Sequence, residues 1–354
     1  MKKFFLVFIV ALLCGASFAG AETLQSLGLP LAFCEMISQK GIYSAILLPI
    51  TEQQTGLVTA YANKKMIADE VMPIDKLLKP NLGFEWFERT VGDAFLIQET
   101  AVGRKSRPNQ VYFSGEKKPG LAKAYGLEAP LSNEDLEQLD NDQRTKVLDR
   151  TLEGLINRVL LSREVRVANL VANLTNYLSG QSKVVDNVDK LTVANADIFG
   201  LVSDMLENAL VRPTMLGMNT KVWGKLRTHA SIINALFPNG NGSGVASREQ
   251  IAELFEVDKI VIGQAMVSTN KNPKAPITSQ CWGNHLFGLH QEELSTMTEG
   301  ITWGMTAQVG ERIAESNEDK TIGLKGGVIV KSGFYVDEVV VGKGAGFLLK
   351  DITT

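Results

Sequence analysis

Between Leu148 and Leu174 apolar residues return every three or four positions, at Leu148, Leu152, Leu155, Ile156, Val159, Leu160, Val167, Leu170, Val171 and Leu174. That period places them on one stripe of an α-helix. The charged residues Arg150, Glu153, Arg158 and Arg163 are then expected on its other faces. The pattern predicts a helix over 141–178 that stops near Gly180, a usual stop residue. At about 1.5 Å per residue such a helix spans on the order of 50 Å and needs a long surface to lie on. A second stripe, with Ile198, Leu201, Val202, Met205, Leu206 and Leu210, predicts a helix over 194–210.

Downstream the pattern alternates between extended and helical. Pro213 forces an extended chain through Thr214–Met218, and Asn219 or Thr220 can cap a helix starting at Lys221. That helix carries Trp223, Leu226, His229 and Ile232. A Gly/Asn-rich loop over 238–244 follows. Ser247, with Gln250 three residues on, forms a capping box ahead of a further helix containing Leu254 and Phe255. The next strand holds Ile260, Ile262 and Gly263. Trp223, Leu226, Leu254, Phe255, Ile260 and Ile262 read as the core of helices packed on a sheet. Strands are also expected around Trp282–Leu289 and over 326–330, 334–341 and 346–352.

Two further extended runs, AFLIQET (94–100) and QVYFSG (110–115), flank the polar turn GRKSRPN (103–109). Such a hairpin lacks the apolar surface to fold back on its own subunit. It reads either as a solvated surface hairpin or, as the resemblance given below implies, as a loop whose turn residues Arg104, Lys105, Arg107 and Asn109 are candidates for contacts between subunits.

Composition narrows the classes. The chain has 354 residues, 45% hydrophobic and 21% charged, with a net charge of −3, and so has ample material for a core. It has no basic run of five or more, which argues against tight direct nucleic-acid binding. Cys14, Cys34 and Cys281 are too few and too scattered for a disulfide framework. The amino terminus has two basic residues, an apolar run Phe4–Leu13 and the pattern Ala19-Gly20-Ala21. Together these resemble a secretory signal peptide, with an apolar run too short to span a membrane. A buried helix, or translation starting downstream, for example at Met36, would account for it equally.

No constellation of catalytic residues emerges. Gly240, Gly242 and Gly244 follow a helix instead of a strand, so they do not form a dinucleotide loop. Gly342, Gly344 and Gly346 read as a hairpin turn. Cys281, His285 and His290 lie in an extended segment, where their spacings do not converge on one face, and no second cluster would complete a zinc site. With three histidines and no GxSxG motif, a serine hydrolase is not indicated. No cofactor or metal is expected.

Two stretches carry a resemblance. One comprises Arg212-Pro213, Gly217, Val222-Trp223, Leu226-Arg227, His229 and Ile232, continuing with Ala252-Glu253-Leu254-Phe255, Val257, Ile260–Gly263 and Ala265. The other is Tyr61, Asn63, Ile67-Ala68-Asp69, Val71 and Pro73. In this order they resemble the major capsid proteins of tailed bacteriophages with the Hong Kong 97-type fold. The resemblance implies an α+β subunit with an amino-terminal arm (61–92), an extended loop (93–139), a peripheral domain with a spine helix (140–192) and an axial domain (193–294). Carboxyl-terminal strands (295–354) are expected to return to the peripheral domain. A signal-like leader (1–21) and an extension (22–60) precede the arm. Trp223, Leu226, Leu254, Phe255 and Gly263 would then carry the fold, not a reaction.

The implied function is self-assembly through pentamers and hexamers into an icosahedral head shell around double-stranded DNA. The implied partners are copies of the chain, a scaffold, a portal and decoration proteins, with DNA enclosed without sequence-specific contacts and no membrane in the mature form. Assembly would take place in the host cytoplasm. The alternatives are the shell of an encapsulin-type bacterial compartment and, because of the leader, a secreted protein. The mature subunit is expected to lack at least Met1–Ala21, since ten exposed apolar residues on every copy would invite aggregation. Mass spectrometry of the amino-terminal peptide from particles checks this, and an intact Met1-Lys2-Lys3 would overturn it.

Overall fold

The computed structural model describes residues 66–77, 82–88, single positions and pairs between 97 and 110, residues 116–238, 244–270, 275, 277–292 and 300–354. The elements expected at 94–100 and 110–115, and the leader and extension, lie outside the described residues.

Two sheets organise the chain. The first has the order β1-β11-β12-β4, where β1 is Ile74–Leu77, β4 is Lys123–Ser132, β11 is Gly304–Asp319 and β12 is Gly327–Val340. β1 runs parallel to β11, and the other neighbours are antiparallel. The second has the order β5-β13-β10-β6-β7, with β5 at Ser182–Val184, β6 at Met215–Asn219, β7 at Lys259–Gly263, β10 at Leu286–Leu289 and β13 at Gly346–Lys350. Two small ribbons hold the remaining strands among the described residues. One pairs β2 (Gly83–Glu88) with β3 (Glu116–Leu121), and the other pairs β8 (Met266–Ser268) with β9 (Thr278–Gln280). The helices are α1 (Ala68–Val71), α2 (Asn133–Leu136), α3 (Asn141–Val171), α4 (Ile198–Glu207), α5 (Thr220–Leu226), α6 (Ala230–Leu236) and α7 (Arg248–Leu254).

The five-stranded sheet is covered on both faces, which is why its strands read as near-continuous apolar runs such as KIVIG and GFLLK. On one face Leu216, Met218, Ile260, Ile262, Leu286, Phe347 and Leu349 pack under α4 to α7. On the other, Met215, Val261, Phe287, Leu289 and Leu348 meet Trp282, Trp303, Tyr177 and the end of α3. The rings fit because glycines lie beneath them. A Cβ at Gly217 would come 2.2 Å from the Phe287 ring, and one at Gly263 would come 2.3 Å from Trp282.

α3 has 31 residues, about 46 Å by its rise. Asp140 and Gln143 form a capping box at its start. Its first half packs Leu148, Leu152 and Leu155 against Val328 and Val330, and Val159 against Phe334 and Val336. The helix ends at Val171, before the expected 178. Asn173 caps a short 3₁₀ turn through Thr175 N–H, Asn176 donates to Leu170 O, and the Tyr177 hydroxyl donates to Val171 O. Side chains thus satisfy the terminal carbonyls that another helical turn would have used.

Other expectations need correcting. The second helix begins at Ile198, because Asp197 caps it through Gly200 N–H. The segment from Thr220 to Leu236 holds two short helices, with His229 as the N-cap of α6 instead of a mid-helix residue. The strands expected at 326–330 and 334–341 are one, β12, because Gly333 lets the ladder pass close to Tyr125 O and Gly126. β13 joins the five-stranded sheet, so the Gly342–Gly346 segment is a crossing between sheets and not a hairpin turn. The turn at 281–284 holds Trp282, and the strand starts only at Leu286.

Leu226 and Phe255 are buried, and Gly263 is buried under Trp282, while Trp223 and Leu254 are only partly buried at the edge of the helical layer. The fully enclosed tryptophan is Trp303, stacked on Tyr177 at 5.4 Å. Trp303→Ala should therefore cost about 3–5 kcal/mol, as for a large aromatic removed from a core, and Trp223→Ala clearly less. Urea unfolding of the unassembled subunit would show this as the larger midpoint shift for position 303.

Candidate functional site

The described residues bring together no converging chemistry. Among them no group of three His, Cys, Asp or Glu side chains is placed to hold a metal. Each of the three histidines is engaged by backbone. His229 bonds Val193 O and accepts from Ser231 N–H. His285 Nδ1 accepts from Asp351 N–H, with burial lowering its pKa, and His290 Nδ1 lies 2.9 Å from Arg212 O. Burial, and then the Glu164 charge, push the Cys281 thiol up to about 12, so it is not a nucleophile at neutral pH. A shallow pocket touching Lys225 and His229 uses a histidine already committed to the backbone.

What the fold builds is an anchor for the segment around α1. Arg163 and Glu164 both point into the interior from the middle of α3, at 2% and 0% exposure. The expectation that Arg163 faces solvent is thus overturned. Glu164 accepts from the N–H groups of Ile67 (2.8 Å) and Ala68 (2.9 Å), at the start of α1, and from the Trp282 indole (2.6 Å). Burial raises its pKa, and these bonds together with the Arg163 charge oppose the rise. Arg163 donates to Asp69, to Met72 O and to Thr306 Oγ1. One turn on, Arg166 makes a bidentate contact with Glu338 at 2.7 and 3.1 Å and lies 3.6 Å over the Tyr125 ring. Gln291 adds a clamp on Glu70 O and Val71 O. The arm motif Ile67-Ala68-Asp69 is therefore fixed at both of its polar ends.

The ribbons are the exposed features. The β2–β3 ribbon is held to the body by Trp86 and Phe84, packed on Met305, Ala307 and Val339. The two strands are joined by residues 89–115. Arg107 is described and exposed, whereas Arg104, Lys105 and Asn109 lie outside the described residues. The outer half of β11 is exposed from Gly310 to Glu318. The sequence gives little warning of it, since a strand open on both faces shows no alternation.

No family model matches the chain. The major capsid protein of Pseudomonas phage JBD67 is 29% identical over 303 residues, covering 86% of this chain and 97% of its own. The major capsid protein of Burkholderia phage BcepMu is 22% identical over 237 residues, covering 66% and 73%. Among solved structures, a phage-related protein from Bordetella bronchiseptica RB50 aligns over 84% of this chain and 96% of its own, at TM-score 0.61 and 17% identity. The capsid structure of cyanophage P-SCSP1u (TM-score 0.50, 10% identity) covers 79% and 86%. The SrpI encapsulin complex from Synechococcus elongatus PCC 7942 (TM-score 0.50, 11% identity) covers 82% and 90%.

Fold and relatives together define a structural shell subunit, not an enzyme. The chain has the Hong Kong 97-type α+β fold, and its sequence is similar to the major capsid proteins of these two phages.

The anchor generates a prediction. In Glu164→Gln one carboxylate oxygen becomes an NH₂ group, so one of the three donors now meets a donor. An unmet buried donor costs about 1–3 kcal/mol. Hydrogen exchange at residues 67–72 should accelerate, while β6, β7 and β10 keep their protection. Because the Glu164 pKa is raised on folding, its contribution is full below the unfolded carboxylate value and declines as pH rises through the folded one. The Gln variant should lack that part of the pH dependence in a comparison of unfolding curves.

Proposed function

We propose that copies of this chain assemble as pentamers and hexamers into an icosahedral head shell enclosing double-stranded DNA. A scaffold and a portal would take part, and assembly would take place in the host cytoplasm. The four-stranded sheet with α3 serves as the peripheral domain and the five-stranded sheet with α4–α7 as the axial domain. The β2–β3 ribbon is the base of the extended loop, whose turn residues Arg104, Lys105, Arg107 and Asn109 contact a neighbouring subunit. The observation that carries this reading is the kinship with a phage major capsid protein along 86% of the chain. The fold alone is shared with an encapsulin, so it does not separate virus from compartment, whereas both sequence relatives are phage proteins.

Electron microscopy of the purified protein tests the reading, with closed particles expected and monomers alone overturning it. Deleting residues 104–109 should leave the subunit folded by circular dichroism and abolish particles, because a polar turn contributes little to the core. Normal particles from the deletion would remove the contact role assigned to the turn.

A further inference from the structure

α1 is a helix that cannot hold itself. It has four residues, and so short a helix does not persist alone in water, because the cost of nucleation outweighs its few bonds. Its N-cap residue, Ile67, has no side-chain group to bond the first N–H groups. Both ends are capped from elsewhere in the chain. At the start, Glu164 of α3 accepts from Ile67 N–H and Ala68 N–H. At the end, the Gln291 amide, just beyond β10, donates to Glu70 O and Val71 O. Met72 O accepts from Arg163 and from Thr306 Oγ1.

The chain beyond α1 continues the attachment. Pro73 O accepts from Thr306 N–H, and β1 pairs with β11 from Ile74 opposite Thr306 to Leu77 opposite Val309. Ile67, Ala68, Val71 and Met72 are buried in the cluster around Trp282 and Trp303. Met72 lies over Gly304, where a Cβ would come 2.8 Å from its Cε. None of these partners is local in sequence. Undocked, the helix has no caps, and without the helix its end groups do not point at Glu164 and Gln291. Folding of the segment and its docking are therefore one event.

We infer that residues 67–77 are a strap that folds only as it docks and releases as a single unit while the rest of the subunit stays folded. Release uncovers the Arg163–Glu164 pair and the edge of β11 at Thr306–Val309. An uncovered edge is a template for another strand, so the docked strap keeps this stretch closed. Cys281 reports the state of the strap. It packs on the same cluster as Ile67 and Ala68, and it lies within reach of the Glu164 charge.

Hydrogen exchange and thiol labelling of the unassembled subunit test the inference together. In the unmutated chain the bonded N–H groups of 67–77 should open with one common equilibrium, more readily than those of β6 and β10. Gln291→Ala removes the clamp on Glu70 and Val71. It should nevertheless accelerate exchange at Ile67 and Ala68, at the opposite end, by the same factor as at Met72 and in β1, on the order of tenfold. Alkylation of Cys281, followed by mass spectrometry of its peptide, should speed up by that factor as well, while β6 and β10 keep their protection. Acceleration confined to residues 70–72 would overturn the inference, and so would an unchanged Cys281 rate. Equal acceleration in β6 and β10 would overturn it too, because the segment would then open only with the whole subunit. Should Gln291→Ala not fold, the unmutated chain still decides, since graded opening along 67–77 rules out a single unit.

Discussion

Two adjacent charged side chains buried in one helix, Arg163 and Glu164, tie the arm, the long helix and both sheets into a single arrangement. Removing a carboxylate and a guanidinium from water costs several kcal/mol each, and their mutual attraction offsets this only when the remaining hydrogen-bonding sites are filled. Here three different parts of the chain supply partners, although Arg163 Nε, 4.0 Å from Glu338, has no hydrogen bond. Ile67 and Ala68 come from the arm, Trp282 from the turn before β10, and Thr306 from β11. If any one is missing, a buried charge is left short of a partner. Apolar residues at 163 and 164 could be as stable, but apolar contact is not directional.

The same helix explains how two sheets with different strand directions pack against one element. Its fully buried positions Leu155, Val159, Arg163, Val167 and Val171 are four residues apart. With 3.6 residues per turn, each step advances about 40° around the axis. The buried stripe therefore turns by about 160° from Leu155 to Val171. The early part faces β12 and the late part faces the five-stranded sheet and the arm. Arg163 lies where the stripe passes from one to the other, which places it within reach of both.

That geometry also shows what could be read from the sequence. The capping residues Asn219, Ser247 and Gln250 were legible because a cap is a local matter of one side chain and one N–H. The apolar runs of β6, β7 and β13 were legible because both of their faces are covered. Arg163 was misplaced because charge outweighed spacing, although its four-residue interval from Val159 and Val167 was the signal that it belongs inside. β11 was missed because its identity depends on pairing with β12, a long-range fact that leaves no period in a strand exposed on both faces. The break expected at Gly333 failed for a related reason: the glycine serves a close approach between strands, not a turn.

The distribution of burial separates what keeps the subunit folded from what is left for other contacts. The histidines and Cys281 are spent on backbone bonds or enclosed, and the large aromatics are buried, Phe287 and Trp303 on one face of the five-stranded sheet and Phe347 on the other. The β2–β3 ribbon, by contrast, joins the body through one small cluster around Trp86, and the outer half of β11 rests on β12 alone. Changes on these ribbons remove little apolar area from the core, so their sequence is free to answer to a partner instead of to stability. Acidic residues on such an edge guard it against indiscriminate strand pairing.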